Sequence, residues 1–197
     1  QFFKNKIKNV DAVIYTHEHV DQTSGIFELR PFFWKNKKKI DIYGSKKTIN
    51  ELENKYDFCF KEKNGYFPIL KSNVIKNHFF IKKKNNKIKI NSFDVQHGEI
   101  KATAYVFEKI AYLSDCNFIP NKSMRHLLNL KYLVIDCLKR QKHPSHFNYD
   151  DVLRLIKILK PKKTILTNLH TDLDYNYLKN KLPKNIIPAF DGLSFNF

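Results

Sequence analysis

The segment Ile14-Tyr15-Thr16-His17-Glu18-His19-Val20-Asp21-Gln22 sets two imidazoles and a carboxylate at alternate positions, 17, 19 and 21. It continues the apolar run Val10-Asp11-Ala12-Val13-Ile14-Tyr15, which reads as a buried strand feeding a loop. Alternate side chains of an extended segment point the same way, so ligands two residues apart at a strand end can converge on one centre. Imidazole nitrogen with carboxylate oxygen suits zinc, manganese or iron(II). An ordinary polar loop that carries two histidines is the competing reading of these residues alone.

Further groups of the same kind follow other apolar strands. Val95-Gln96-His97-Gly98 ends the alternating segment Ile88-Lys89-Ile90-Asn91-Ser92-Phe93-Asp94-Val95. Ala111-Tyr112-Leu113-Ser114-Asp115-Cys116 and Leu133-Val134-Ile135-Asp136-Cys137 each run from apolar residues into an Asp, and Thr164-Ile165-Leu166-Thr167-Asn168-Leu169-His170 closes the series.

Thr-His-x-His-x-Asp after a hydrophobic strand resembles the signature of the metallo-β-lactamase superfamily, Thr-His-x-His-x-Asp-His, with Gln22 standing in its last place. The resemblance covers almost the whole chain, because the later motifs arrive in the order that family uses. It implies that His17, His19 and His97 hold one metal ion and that Asp115 bridges to a second. The second ion would use Asp21 together with the positions occupied here by Gln22 and Asn168, where the family places histidines. Both departures fall on the second site, so one firmly bound divalent ion, zinc or manganese, is expected rather than two. An amide oxygen is a poorer zinc ligand than imidazole and is better tolerated by harder ions.

The distal half resembles the phosphoribosyl cyclic phosphate phosphodiesterase branch of that superfamily. The residues concerned are Asp136-Cys137-Leu138, His143-Pro144-Ser145-His146-Phe147-Asn148, Asp172-Leu173-Asp174-Tyr175 and Phe190-Asp191-Gly192, with Gly25-Ile26-Phe27-Glu28-Leu29-Arg30 near the start. By that resemblance His146 is the histidine that assists phosphodiester cleavage. Its structural alternative is as a neighbour of the Asn148 cap, which Asp151 would complete at the start of a helix. His143 flanks the site without a role, His170 stays open as a pocket residue or an imperfect substitute ligand, and His78 and His126 read as structural or surface residues.

Composition limits the partners. The net charge of +17 comes from 32 Lys and only 4 Arg, alongside 20 Asn, 20 Ile and 5 Gly. That bias fits an A+T-rich coding sequence, whereas dedicated nucleic-acid surfaces also use Arg for bidentate and stacking contacts. Nucleic acid is therefore not the expected partner; a small phosphorylated substrate is, since a basic surface attracts it. The Lys runs Lys37–Lys39 and Lys82–Lys84 are expected in loops or hairpin tips. Cys59, Cys116 and Cys137 form no Cys-x-x-Cys pair, so a reducing, cytoplasmic setting is expected, and no apolar run is long enough for a membrane span.

Strands are expected near residues 10–15, 40–43, 74–81, 88–96, 102–108, 110–114, 132–136, 163–167 and 186–190. Helices are expected near 24–30, 45–56, 121–129, 149–160 and 173–181. The fold class is α+β, one domain over 1–197, and the resemblance implies the αββα sandwich of the metallo-β-lactamases. Its first sheet is expected to be incomplete, because the first motif strand begins only at Val10 and Gln1 is not Met. The expected function is that of a metal-dependent hydrolase cleaving a small phosphodiester, a phosphoribosyl cyclic phosphate, by a metal-bound hydroxide. Asp21 and Asp115 would orient the water, and His146 would serve the leaving oxygen. Two alternatives stand beside it: a catalytically impaired relative that binds a phosphorylated ligand, and an RNA-processing hydrolase of the same superfamily.

Overall fold

Short apolar strands alternate with capped helices along the chain, and they gather into two compact units, Gln1–Ile88 and Lys89–Phe197. The computed structural model describes residue 2, residues 4–83 and residues 86–196. Lys84 of the second lysine run lies outside the described residues, while Lys82 is exposed on a strand rather than at a loop tip.

In the N-terminal unit, β1 (Ala12–Ile14) leads through α1 (Val20–Thr23), a 3-10 segment (Ser24–Leu29) and α2 (Arg30–Asn36) to β2 (Ile40–Gly44). The helical stretch is thus longer than the expected 24–30. Pro31 lies in the first turn of α2, where a missing N–H costs nothing, so it starts a helix there instead of ending one. Next come α3 (Lys46–Lys55), α4 (Asp57–Phe60), β3 (Leu70–Val74) and β4 (His78–Lys83). Ser45 caps α3 by accepting from the Thr48 N–H at 3.1 Å. The expected strand 74–81 is replaced by two strands. The buried pair Ile69 and Leu70 is the reason for the earlier start, since β3 pairs in parallel with β2 from Leu70 onward. β1, β2 and β3 form a parallel sheet in that order, over a core that includes Tyr15, Ile26, Ile42 and Leu52.

β5 (Asn86–His97), most of which belongs to the C-terminal unit, runs with β6 (Ile100–Phe107) and β7 (Ile110–Leu113) as an antiparallel meander. Then follow α5 (Asn121–Met124) with a 3-10 turn, β8 (Tyr132–Asp136), α6 (Tyr149–Leu159), β9 (Lys163–Thr167), α7 (Tyr175–Lys181) and β10 (Ile186–Pro188). β7, β8, β9 and β10 are parallel neighbours. α6 buries Val152, Leu155, Ile156 and Leu159, a spacing of three, four and seven residues that defines one helical face. Asn148 caps it through the Asp151 N–H at 2.9 Å, and Lys160, at φ 49°, ends it before Pro161. The region expected as one helix over 121–129 is instead two single turns. Among the described residues, no helix is long and apolar enough to cross a membrane.

Candidate metal centre

The first motif leaves β1 still extended, since the Tyr15 N–H donates to the Tyr43 carbonyl at 2.8 Å. Alternation then does what strand geometry requires. His17 is fully buried with Nδ1 3.0 Å from the Thr16 hydroxyl, and its ring meets that of His19 edge to face at 4.7 Å. Glu18, between them, turns to the first turn of α3, with Oε1 2.5 Å from Lys47 Nζ and Oε2 accepting from the Thr48 hydroxyl at 3.3 Å. Burial pushes the Glu18 carboxyl up, but the Lys47 ammonium and the Thr48 hydroxyl outweigh it and hold it below its ordinary value. Asp21 opens α1 on the surface and accepts from the Gln22 amide at 3.3 Å. Among the described residues Asp21 joins no cluster of three ligand-type side chains. A separate apolar cavity of about 480 Å³ in this unit, lined by Phe27, Trp34, Phe58 and Tyr66, contains none of the residues 14–22.

The C-terminal unit gathers its candidates along one sheet edge. β7, β8 and β9 run in parallel, and the residues just at or past their ends are Asp115, Asp136 and Asn168. β5 lies two strands from β7 through the antiparallel β6, so it runs the same way and delivers His97 to the same edge. Strand spacing of ~4.8 Å brings such neighbours within side-chain reach. Side-chain ligand atoms of His97, Asp115 and His146 all lie within 4.8 Å of one another.

Each member is held by named partners. His97 Nδ1 is 2.7 Å from the Ser145 carbonyl, an oxygen that only accepts, so a proton sits on Nδ1 and Nε2 is the nitrogen able to present a lone pair. That Nε2 faces Asp115 Oδ2 at 3.8 Å. The other Asp115 oxygen accepts from the Ser114 hydroxyl at 2.9 Å and from the Asn168 amide at 2.8 Å. Asp136, fully buried, accepts from His146 Nδ1 at 2.7 Å, from the Cys116 N–H at 3.1 Å and from the Asn168 amide at 3.2 Å. The loop carrying His146 is pinned on both sides, by the Phe147 N–H on the Cys116 carbonyl at 2.6 Å and the Leu138 N–H on the Phe147 carbonyl at 3.0 Å.

Gly98 lets this loop close. It is the first residue of the two-residue turn between His97 and Ile100, at φ 57°, and an added Cβ would lie 2.9 Å from Ser145 Cβ. The Gly98 N–H donates to Asn117 Oδ1 at 3.0 Å, and the Asn117 amide donates to the Pro144 carbonyl at 2.9 Å, which ties the turn to the His146 loop.

Burial raises the Asp136 carboxyl above its ordinary value, despite the opposing pull of His146 and the Cys116 N–H. Burial also pushes the Cys116 thiol far up and the Cys137 thiol to about 12, so neither supplies a thiolate, and Cys116 packs as a small apolar side chain.

The donor set fits a divalent ion. His97 Nε2 and an Asp115 oxygen at 3.8 Å are too far apart for a hydrogen bond, and imidazole nitrogen with carboxylate oxygen is a ligand pair that such an ion takes. A tetrahedral ion with bonds near 2.0–2.1 Å spans roughly 3.4 Å between such atoms, so a small contraction would satisfy both. The Nδ1–H bond from a ligand histidine to a carbonyl is the usual way a protein orients such a ring.

The structure therefore brings together His97, Asp115, His146 and the Asn168 position, and adds Asp136, which the sequence reading left without a role. Its signal was available: Asp136 ends an apolar strand just as Asp115 follows one. His170 stays outside, exposed, with Nδ1 3.2 Å from Asp172. His126 stacks on Phe93 at 4.9 Å and His78 is an exposed strand residue, as expected of structural or surface positions. His143 accepts from the Ser145 N–H at 3.3 Å and sits 5.1 Å, ring to ring, from His146.

The chain belongs to the beta-lactamase superfamily, whose domain model matches residues 3–168. It shares the metallo-β-lactamase fold, with α+β content and two sheets. Among solved structures it is similar to a diphosphatase of the PhnP family, at TM-score 0.86 and 29% identity over 98% of this chain and 72% of that one. Human tRNase Z, short form, shares the fold at TM-score 0.69 with 15% identity, covering 98% of this chain and 82% of that one. Among curated proteins it is similar to an octanoyltransferase of Porphyromonas gingivalis (strain ATCC BAA-308 / W83), 26% identical over 95% of this chain. This chain spans 38% of that relative's length.

Proposed function

We propose that the chain is a metal-dependent phosphodiesterase acting on a small cyclic phosphate, of the phosphoribosyl type. The observation that carries this reading is the Asp136–His146 pair beside the His97–Asp115 pair. It supplies a proton-transfer group next to a place where an ion fits. Similarity to a protein described as a PhnP-family diphosphatase supports a phosphorylated substrate. On motif grounds alone, His17, His19 and Asp21 are carried forward as further ligands.

A divalent ion there would supply Lewis-acid polarisation and lower the pKa of coordinated water from 15.7 to about 7. Everything else falls to the side chains. Asp115, buried and fixed by Ser114 and Asn168, would orient the attacking water. As water oxygen bonds to phosphorus, the bond to the ester oxygen breaks, and that oxygen needs a proton. His146 holds Nδ1 against Asp136, so Nε2 would deliver it, with the Asp136 carboxylate stabilising the charged ring, while the proton lost by the attacking water would pass to solvent.

The test is turnover of a ribose cyclic phosphodiester, with a sugar diphosphate as comparison, by the protein supplied with Mn²⁺ or Zn²⁺. His146→Ala should lose at least ~100-fold in turnover with metal content unchanged. Parental turnover would remove His146 from the mechanism, and cleavage of the diphosphate alone would replace the cyclic substrate. One observation favours a second reading: the Asn168 amide already satisfies two carboxylates of the centre, as in a relative that binds a phosphorylated ligand without cleaving it. Absence of any phosphoester cleavage with Mn²⁺ present, alongside retained binding of a ribose phosphate, would establish that alternative.

A further inference from the structure

We propose that the Asn168 carboxamide takes the place of a second cation between Asp115 and Asp136, so that this centre is built to hold one ion. The inference rests on reading His97 and Asp115 as ligands. Asp115 and Asp136 are 3% and 0% exposed, and two carboxyl groups side by side in such a setting need a hydrogen-bond donor, a proton or a cation between them. Asn168 Nδ2 provides the donor, with one hydrogen bond to Asp115 Oδ1 at 2.8 Å and another to Asp136 Oδ1 at 3.2 Å. Only the NH₂ end of the amide can face two carboxylate oxygens, because the opposite orientation sets three acceptors against one another.

The backbone is fitted to the task. Asn168 follows β9 directly and has φ 59°, the left-handed region that Asn tolerates better than most residues. A single imidazole nitrogen carries at most one hydrogen and cannot donate to both carboxylates, whereas an amide nitrogen carries two. Both hydrogens of the amide nitrogen are committed to the two carboxylates, so a cation seated between these oxygens would have to displace the carboxamide.

The experiment measures bound Mn²⁺ per chain and the thermal midpoint, with and without Mn²⁺, for the parent, Asn168→Asp and Asn168→Ala. The parent should bind one equivalent. Asn168→Asp sets a third carboxylate among two, so its metal-free midpoint should fall by on the order of 5 °C or more. Mn²⁺ should restore that loss, and a second equivalent should bind. Asn168→Ala removes the donor without adding a ligand; its metal-free midpoint should fall while it still binds one equivalent. A parent that binds two equivalents overturns the proposal whichever variants fold, as does Asn168→Asp with parental midpoint and stoichiometry. A parent that binds no ion overturns it together with the metal reading. If the stoichiometries come out as expected but no phosphoester is cleaved, the single-ion centre stands and only the assigned activity falls.

Discussion

Replacing Gly98 by Ala should damage both stability and metal binding, and the structure separates the causes. Ala at φ 57° incurs the left-handed penalty of roughly 1–2 kcal/mol. The new Cβ would also stand 2.9 Å from Ser145 Cβ, where ordinary contact begins at 3.4 Å, so Ser145 must give by about half an ångström. Packed neighbours resist such shifts at a cost of ~1–3 kcal/mol. The two terms together make about 2–5 kcal/mol, which in a chain of this size lowers the melting midpoint by ~5–15 °C. Ser145 is also the residue whose carbonyl holds His97 Nδ1 at 2.7 Å, so displacing it should weaken metal affinity by the ~10–100-fold typical of lost outer contacts. Two other glycines serve as internal standards. Gly65, at φ 79° with nothing within 4 Å, isolates the backbone penalty, and Gly25, equally open and without positive φ, should be near neutral as Ala. Differential scanning calorimetry with metal analysis of the three variants is the assay. If Gly98→Ala melts with Gly65→Ala and keeps parental metal affinity, the close approach to Ser145 does not position His97.

Asp136→Asn should cost at least ~100-fold in turnover with metal content retained, because either amide orientation sets an NH₂ against a donor, on His146 and Cys116 or on Asn168. Turnover within a few-fold of the parent would refute the pairing. Glu18 should contribute to acid sensitivity. Its folded carboxyl lies below the ordinary 4.5, so its stabilisation is complete above that value and is lost as pH falls through the folded one. Lys47 is 62% exposed, so the effect is small, ~0.2–1 kcal/mol. Chemical denaturation of Glu18→Gln between about pH 5 and about pH 3 should show a correspondingly smaller loss than the parent, and an equal loss would reject the assignment.

What could be read from the sequence was whatever depends on local periodicity and caps. Asn148 announced its helix by type and spacing, and the apolar runs ending at His97, Asp115 and Asp136 announced strands with polar ends. Elements set by tertiary pairing were harder. The start of β3 depends on the parallel register between Leu70 and Ile40, a contact across 30 residues that no window around position 70 contains. α2 lies past the expected helix end at residue 30, and its start depends on Pro31 taking a place in the first turn. In the site, motif order singled out His97 and Asp115, but the part played by Asp136 depends on distances to His146, Cys116 and Asn168, which are 10, 20 and 32 residues away.

Asp136 also explains why a change at position 168 is tolerated in this sheet. Three parallel strands end side by side, so whatever follows β9 must come to terms with the carboxylates that end β8 and follow β7. A cation, a proton or a hydrogen-bond donor can each do so, at different energetic cost. A side chain that offered only apolar surface would leave two buried anions facing each other, and an added carboxylate would make the imbalance worse. Asn offers two donors from one atom on a backbone bent to φ 59°, and it leaves the His97 face of Asp115 untouched. The residue that stands where the resemblance expects a second-site histidine is therefore bonded to the Asp115 oxygen that does not face His97.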